Sequence, residues 1–187
     1  MNRRHLINGV VLAGILALAA LVQHTAPSDD AWQAPMEVAG DVGAPVTGRN
    51  IEATVWGARA ATEVRTDDWV GETTGVWVVV DVSAVAVVDE FSAALRTAQL
   101  VIGDETFGAS SRPVVESMLN RWLSVGIPAR GPLFFEIPED ALRDAQLQLA
   151  VSGDPRLDSL LVIPLDLAPL EIEPLIETDD IVWGSND

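Results

Sequence analysis

Residues 75–85 read GVWVVVDVSAV. Six of these eleven residues are valine, and Asp81 is the only charged residue among them. β-branched side chains lose rotamer freedom in a helix and pack well on the pleated surface of a sheet. The run is therefore typical of a strand in the core of a β-sandwich, and it predicts an all-β fold.

Shorter segments with strand patterns lie on both sides of this run. Residues 51–56 alternate between apolar and polar side chains. The other strand candidates are residues 98–102, 105–107, 133–137, 146–151 and 160–165. Gly, Pro and Asp residues that favour turns separate them at 103–104, 131–132, 138–140 and 153–155. Short strands at this spacing predict two antiparallel sheets packed as a sandwich.

One segment has the spacing of a helix instead. After Pro113, apolar residues at 114, 115, 118, 119, 122 and 123 recur on one helical face. We expect a short helix over residues 114–123 that closes one end of the sandwich. A helix that binds a partner, with Trp122 in the contact, is the alternative.

The N-terminal segment is apolar and follows two basic residues. Residues 6–22 read LINGVVLAGILALAALV, after Arg3 and Arg4. About 17 apolar residues lie at the short end for a membrane span, and preceding arginines stay in the cytoplasm. We expect residues 1–5 to be cytoplasmic, residues 6–24 to form an uncleaved, single-pass transmembrane helix, and the rest of the chain to be extracytoplasmic. A cleaved signal peptide and a buried helix of a soluble protein are the alternatives.

The remainder divides by composition. Residues 25–48 are rich in Pro, Gly, Ala and Asp without periodicity, which predicts an extended linker. Residues 49–167 contain every strand candidate and predict one sandwich domain. Residues 168–187 carry six acids and no basic residue, but also seven sizeable apolar side chains. We expect this tail to lie against its own domain or a partner; a solvated tail is the alternative.

Catalytic side chains are scarce. The chain has no lysine, cysteine or tyrosine, and its histidines, His5 and His24, flank the apolar N-terminal segment. The domain therefore lacks the groups for Ser-His-Asp or Cys-His catalysis and for histidine or thiolate zinc sites. Acidic doublets such as Asp67-Asp68 match no calcium-loop pattern. We expect no enzyme activity, cofactor or metal site; calcium binding and carboxylate hydrolysis are the remaining alternatives.

The charge limits the partners. The formal net charge is -17, and beyond Arg3 and Arg4 nine arginines oppose 28 acids. Nucleic acid and anionic lipid would repel such a domain. We expect no nucleic-acid partner and membrane contact only through the N-terminal helix.

Three segments also carry a family resemblance: residues 75–82, 100–107 and 126–138, the last ending in Phe135-Glu136-Ile137-Pro138. Over residues 48–167 the chain resembles the uncharacterised immunoglobulin-like domains of Gram-positive exported lipoproteins and membrane-anchored proteins, and is similar to a secreted immunogenic antigen of mycobacteria. The resemblance implies an immunoglobulin-like antiparallel sandwich and no catalytic residues. Many members are lipidated on a cysteine, which this chain lacks, so the anchor here would be the helix.

These patterns predict a non-enzymatic, membrane-anchored extracytoplasmic interaction or accessory module of a bacterial envelope complex. The alternative is a domain that binds a cell-wall glycan or a cation through acidic loops and Trp69. Exposed or amphipathic apolar residues are the candidates for the contact. They are Trp69, Trp122, Leu170, Ile172, Ile176 and Trp183.

Overall fold

The computed structural model describes residues 3–25 and 33–184. The chain divides into two compact units, Met1–Ala34 and Pro35–Asp187. The first contains α1 (Arg3–Thr25), a helix of 23 residues whose first turns include the polar residues Arg3, Arg4, His5 and Asn8. Among the described residues, no helix combines the length and the apolarity needed to cross a membrane. The transmembrane helix expected at residues 6–24 is therefore not supported.

The second unit consists mostly of strands. Within its described residues there are twelve strands and one 3-10 helix, Glu139–Ala141. The strands are β1 (Met36–Ala39), β2 (Val46–Thr47), β3 (Glu52–Arg65), β4 (Val70–Val85), β5 (Thr97–Ile102), β6 (Glu105–Gly108), β7 (Ala129–Ile137), β8 (Asp144–Ala150), β9 (Ser159–Asp166), β10 (Ile172–Glu173), β11 (Ile176–Glu177) and β12 (Val182–Trp183). The predicted all-β fold is confirmed.

The strands form two sheets. The first sheet has the order β1-β9-β8-β5-β6, and the second has the order β10-β3-β4-β7-β12, with β2 and β11 also paired to β3. The long central pairs, β3 with β4 and β4 with β7, are antiparallel as expected. The edge pairs β1 with β9, β10 with β3 and β11 with β3 are parallel, which the sequence analysis did not predict.

The valine run lies in β4, at the centre of the second sheet. Val76, Val78, Val80 and Val82 are buried in the core cluster, which combines residues of both sheets. Because successive side chains on a strand point to opposite faces, Trp77 and Val79 lie on the other face of the sheet. They are buried as well, so β4 is covered on both faces.

A second apolar cluster covers this outer face. It contains Trp77, Val79, Phe134, Ala61, Val64 and Ile176, with Trp69 packed against it. The Trp69 ring meets the Trp77 ring edge to face at 5.6 Å and the Phe134 ring at 6.2 Å. A Cβ at Gly71 would overlap the Trp69 ring, so glycine at this position makes room for it. We call this set of residues the outer cluster.

The C-terminal tail closes the outer cluster and binds in cis. Its strands β10 and β11 pair with β3, and β12 pairs with β7. Thr62 Oγ1 donates a hydrogen bond to the carbonyl of Pro174 at 3.0 Å, and the Thr178 amide donates to the carbonyl of Arg65 at 3.0 Å. The solvated-tail alternative is wrong, because Ile176 is only 1% exposed.

The N-terminal domain boundary also differs from the expected one. Met36–Ala39 and Val46–Thr47, placed in the 25–48 linker, are strands of the sandwich. Val46 is buried in the core cluster. Each strand is too short to show a period, and turn-forming residues lie between the two strands. The sequence pattern therefore did not reveal them.

The predicted helix over residues 114–123 is wrong; these residues are irregular. Met118 and Leu123 are buried, but Val114 and Val115 are exposed. The backbone bonds to neighbouring segments instead: the Met118 amide donates to Pro132, and the Leu123 amide donates to Ala93. A ten-residue helix is marginal by itself, so these tertiary bonds outweigh the helical pattern.

We predict that Ile176→Ala lowers the free energy of unfolding by about 2–5 kcal/mol, because it opens a cavity over the outer face of β4. Ile172→Ala is the matched control, since Ile172 lies in the same tail but is 37% exposed, and should cost less than about 1 kcal/mol. Urea unfolding of the full chain measures both. Equal costs for the two variants would contradict the docked tail.

Candidate functional site

One end of the sandwich exposes large apolar side chains. Phe91 is 94% exposed and Val88 is 67% exposed, whereas large apolar residues of a folded domain are usually buried. The exposed residues at this end, which we call the apolar end, are Val87, Val88, Phe91, Trp122, Val125, Ile127, Leu157 and Trp183.

Long-range pairing brings these residues together. The loop that follows β4 is bridged at Ala86 to Val125, and the Val125 amide donates to the Glu90 carboxylate at 3.2 Å. Trp122 is bridged to Ala94, which follows the same loop. Trp183 pairs with Ala129 at the start of β7. Three segments that are distant in sequence, residues 86–94, 122–129 and 182–183, therefore meet at this end.

The polypeptide also enters the domain at the apolar end. The Met36 amide, at the start of β1, donates to the carbonyl of Asp158 at 2.8 Å, next to Leu157. Asn50 links this corner to the loop after β4: its Oδ1 accepts from the amides of Val88 and Asp89. Asn50 is buried, so these bonds replace the water that its amide would otherwise bind.

The opposite end of the domain is acidic. It is formed by the β3–β4, β5–β6 and β7–β8 connections. Its exposed acids are Asp67, Asp68, Asp104, Glu105, Glu139, Asp140, Asp144 and Asp166. The two ends of the sandwich therefore differ: one exposes large apolar side chains and the other exposes carboxylates.

A groove runs across the outer face of the second sheet. Residues 177–182, which connect β11 on β3 to β12 on β7, cross over this face; we call them the strap. The space between the strap and the sheet is about 560 Å³. Trp56 and Arg130 line it together with Asp81.

The Arg130 side chain contacts both Asp81 and Trp56. Arg130 Nη2 lies 2.7 Å from a carboxylate oxygen of Asp81, and the guanidinium lies 4.7 Å from the centre of the Trp56 ring. Trp56 Nε1 donates to Ser83 Oγ at 3.2 Å. The hydrogen bond to Asp81 raises the pKa of Arg130 above its usual value, against a smaller opposing effect of desolvation. Arg130 is therefore a fixed, charged wall of the groove.

The structure separates the residues that the sequence analysis named for interaction. Trp122 and Trp183 are exposed at the apolar end. Trp69 and Ile176 belong to the outer cluster, so the Trp69 ring packs against protein. Leu170 packs against the core and Ile172 lies in β10 at the sheet edge.

Phe91, Val88 and the groove were not predicted from the sequence. The sequence 87–91, VVDEF, has apolar residues around an acidic doublet outside any periodic segment, which is a weak signal of an exposed apolar loop. No local sequence pattern predicts that Arg59 and Arg130 line the same groove as residues 179–180. They do so because the C-terminal tail crosses the sheet at this point.

In the part of the chain that the structure describes, no three His, Cys, Asp or Glu residues are grouped closely enough to hold a metal ion. No protein-family model, no curated protein and no solved structure matches the chain.

We predict that Phe91→Ser changes the free energy of unfolding by less than about 0.5 kcal/mol, because an exposed side chain away from packing and caps contributes little to stability. Leu95→Ser is the control: Leu95 lies four residues away and is fully buried, and its replacement should cost several kcal/mol. A similar large loss for Phe91→Ser would mean that the ring serves the fold.

Proposed function

We propose that this chain is an extracytoplasmic accessory module of the bacterial envelope, attached to the cell membrane through its N-terminal helix, that binds a partner protein without catalysing a reaction. The observation that carries the proposal is the apolar end. Contiguous exposed apolar surface on a soluble domain marks an interaction site. Phe91, Trp122 and Trp183 are exposed there, and aromatic residues are enriched in the buried centres of protein interfaces.

The N-terminal helix supports attachment to a membrane. Side chains of α1 such as Leu12, Leu16 and Leu18 are apolar and exposed, and exposed apolar helix surface seeks lipid or another apolar surface. The basic residues Arg3 and Arg4 precede this apolar stretch, which favours a cytoplasmic N-terminus.

The charges favour a protein over the lipid itself. At the apolar end Arg49, Arg96 and Asp89 line one pocket, and Arg156 pairs with Asp154. An anionic lipid surface would repel these carboxylates, whereas a mixed-charge rim around an apolar centre is typical of protein interfaces.

The remaining chemistry supports a role without catalysis. The domain has no imidazole, thiol, amine or phenol, and the doublet Asp67-Asp68 is exposed on a turn. The resemblance to the immunoglobulin-like exported family stays a prediction. Glycan or cation binding through Trp69 has less support, since that ring packs in the outer cluster.

We predict that a benzophenone amino acid at position 91 crosslinks one discrete protein in native membranes, and that the same amino acid at position 70 does not. Val70 is the control, because it is apolar and about half exposed but lies next to the acidic end. Ile127→Asp, at the apolar end, should remove the crosslinked band by placing a charge in the contact. Crosslinks to lipid alone, or equal protein crosslinks from both positions, would contradict the proposal.

A further inference from the structure

We propose that the groove between the strap and the second sheet binds a small zwitterion: a free amino acid or a dipeptide with an apolar side chain and free amino and carboxyl groups. This site lies on the outer face of the sheet and is independent of the apolar end. Its volume of about 560 Å³ falls in the range of small-molecule sites, roughly 300–1,000 Å³.

The two walls of the groove carry opposite charges. Arg59 and Arg130 line it from the sheet, and Glu177, Asp179 and Asp180 line it from the strap. Two of these charges are already engaged: Arg130 is paired with Asp81, and Glu177 lies 3.8 Å from Arg65. A ligand of a single charge would be repelled by one of the two walls.

The other charges face the groove unpaired. Within the described residues, the side chains of Arg59, Asp179 and Asp180 make no ion pair within 4.0 Å, although all three line one groove. All three side chains are exposed, so water solvates them in the free protein and a ligand can reach them. The arrangement suits a ligand whose carboxylate binds the guanidinium of Arg59 and whose ammonium group binds the carboxylates of the strap.

The floor of the groove determines what else the ligand carries. The groove is also lined by apolar residues, Val79 and Pro132 of the sheet and Val182 of the strap, together with the Trp56 ring. An apolar side chain on the ligand would cover them and release water. Amino acids and dipeptides with an aliphatic side chain combine this group with both charges in a molecule of suitable size.

The first experiment measures binding of leucyl-leucine to the full chain by isothermal titration calorimetry. Its N-acetyl and C-terminal amide forms serve as probes, since each lacks one charge. We expect the free dipeptide to bind and each capped form to bind at least tenfold more weakly. Equal binding of the free and capped forms, or no binding of the free dipeptide at millimolar concentration, would overturn the proposal.

The second experiment tests which wall of the groove binds which charged group of the ligand. Arg59→Gln should abolish the discrimination against the C-terminal amide, and the double change Asp179→Asn with Asp180→Asn should abolish the discrimination against the N-acetyl form. If each variant lowers affinity for all three probes by the same factor, the assignment of charges to walls is wrong.

A third variant fills the groove without disturbing the fold. A Cβ at Gly57 would meet no atom within 4 Å, and Gly57 lines the groove, so Gly57→Leu should block binding. Gly108→Leu is the matched control, because Gly108 has equally free space but lies on β6 of the other sheet. Unchanged dipeptide binding by Gly57→Leu, with the same melting temperature as the control, would place the ligand elsewhere.

Discussion

Burial of β4 on both faces controls how this domain is assembled. One face of the valine run packs against the first sheet, and the other face carries Trp77 and Val79 away from it. A central strand of an antiparallel sandwich often leaves its outer face in water, with polar residues there. Here that face is apolar, so the domain needs a cover, which the Trp69 loop and Ile176 of the tail provide.

The same requirement explains the path of the tail. The outer edge of β3 would expose unpaired amides and carbonyls, which invite pairing with other chains. The short strands β2, β10 and β11 cover this edge in turn, and β12 covers part of the edge of β7. To reach from β3 to β7 the chain must cross the outer face. The groove under the strap is thus a result of covering the sheet, and its acidic wall comes from the residues that make the crossing.

The sequence predicted the features that depend on local patterns. The strands of the centre were predicted because valine-rich and alternating runs depend only on side-chain chemistry, although the second half of β3, with alanines, was missed. The two-residue edge strands are too short to show a period. Residues 114–123 have a helical pattern but form no helix, because their amides bond to the carbonyls of Leu95 and Pro132. Among the candidate surface residues, Trp122 and Trp183 were named from composition. That both lie at the same end of the sandwich as Phe91, and that Arg59 lines the groove under the strap, follows from pairing between distant segments.

Hydrogen exchange of the full chain tests most directly whether the tail is part of the folded domain. The amides of Thr178 and Gly184 donate to the carbonyls of Arg65 and Pro128, so peptides covering residues 170–184 should be protected in the folded state. With added denaturant they should lose protection together with residues 75–85, since the tail covers the outer face of that strand. If residues 170–184 exchange at the rate of an unstructured chain while residues 75–85 stay protected, the outer face of β4 is not covered by the tail.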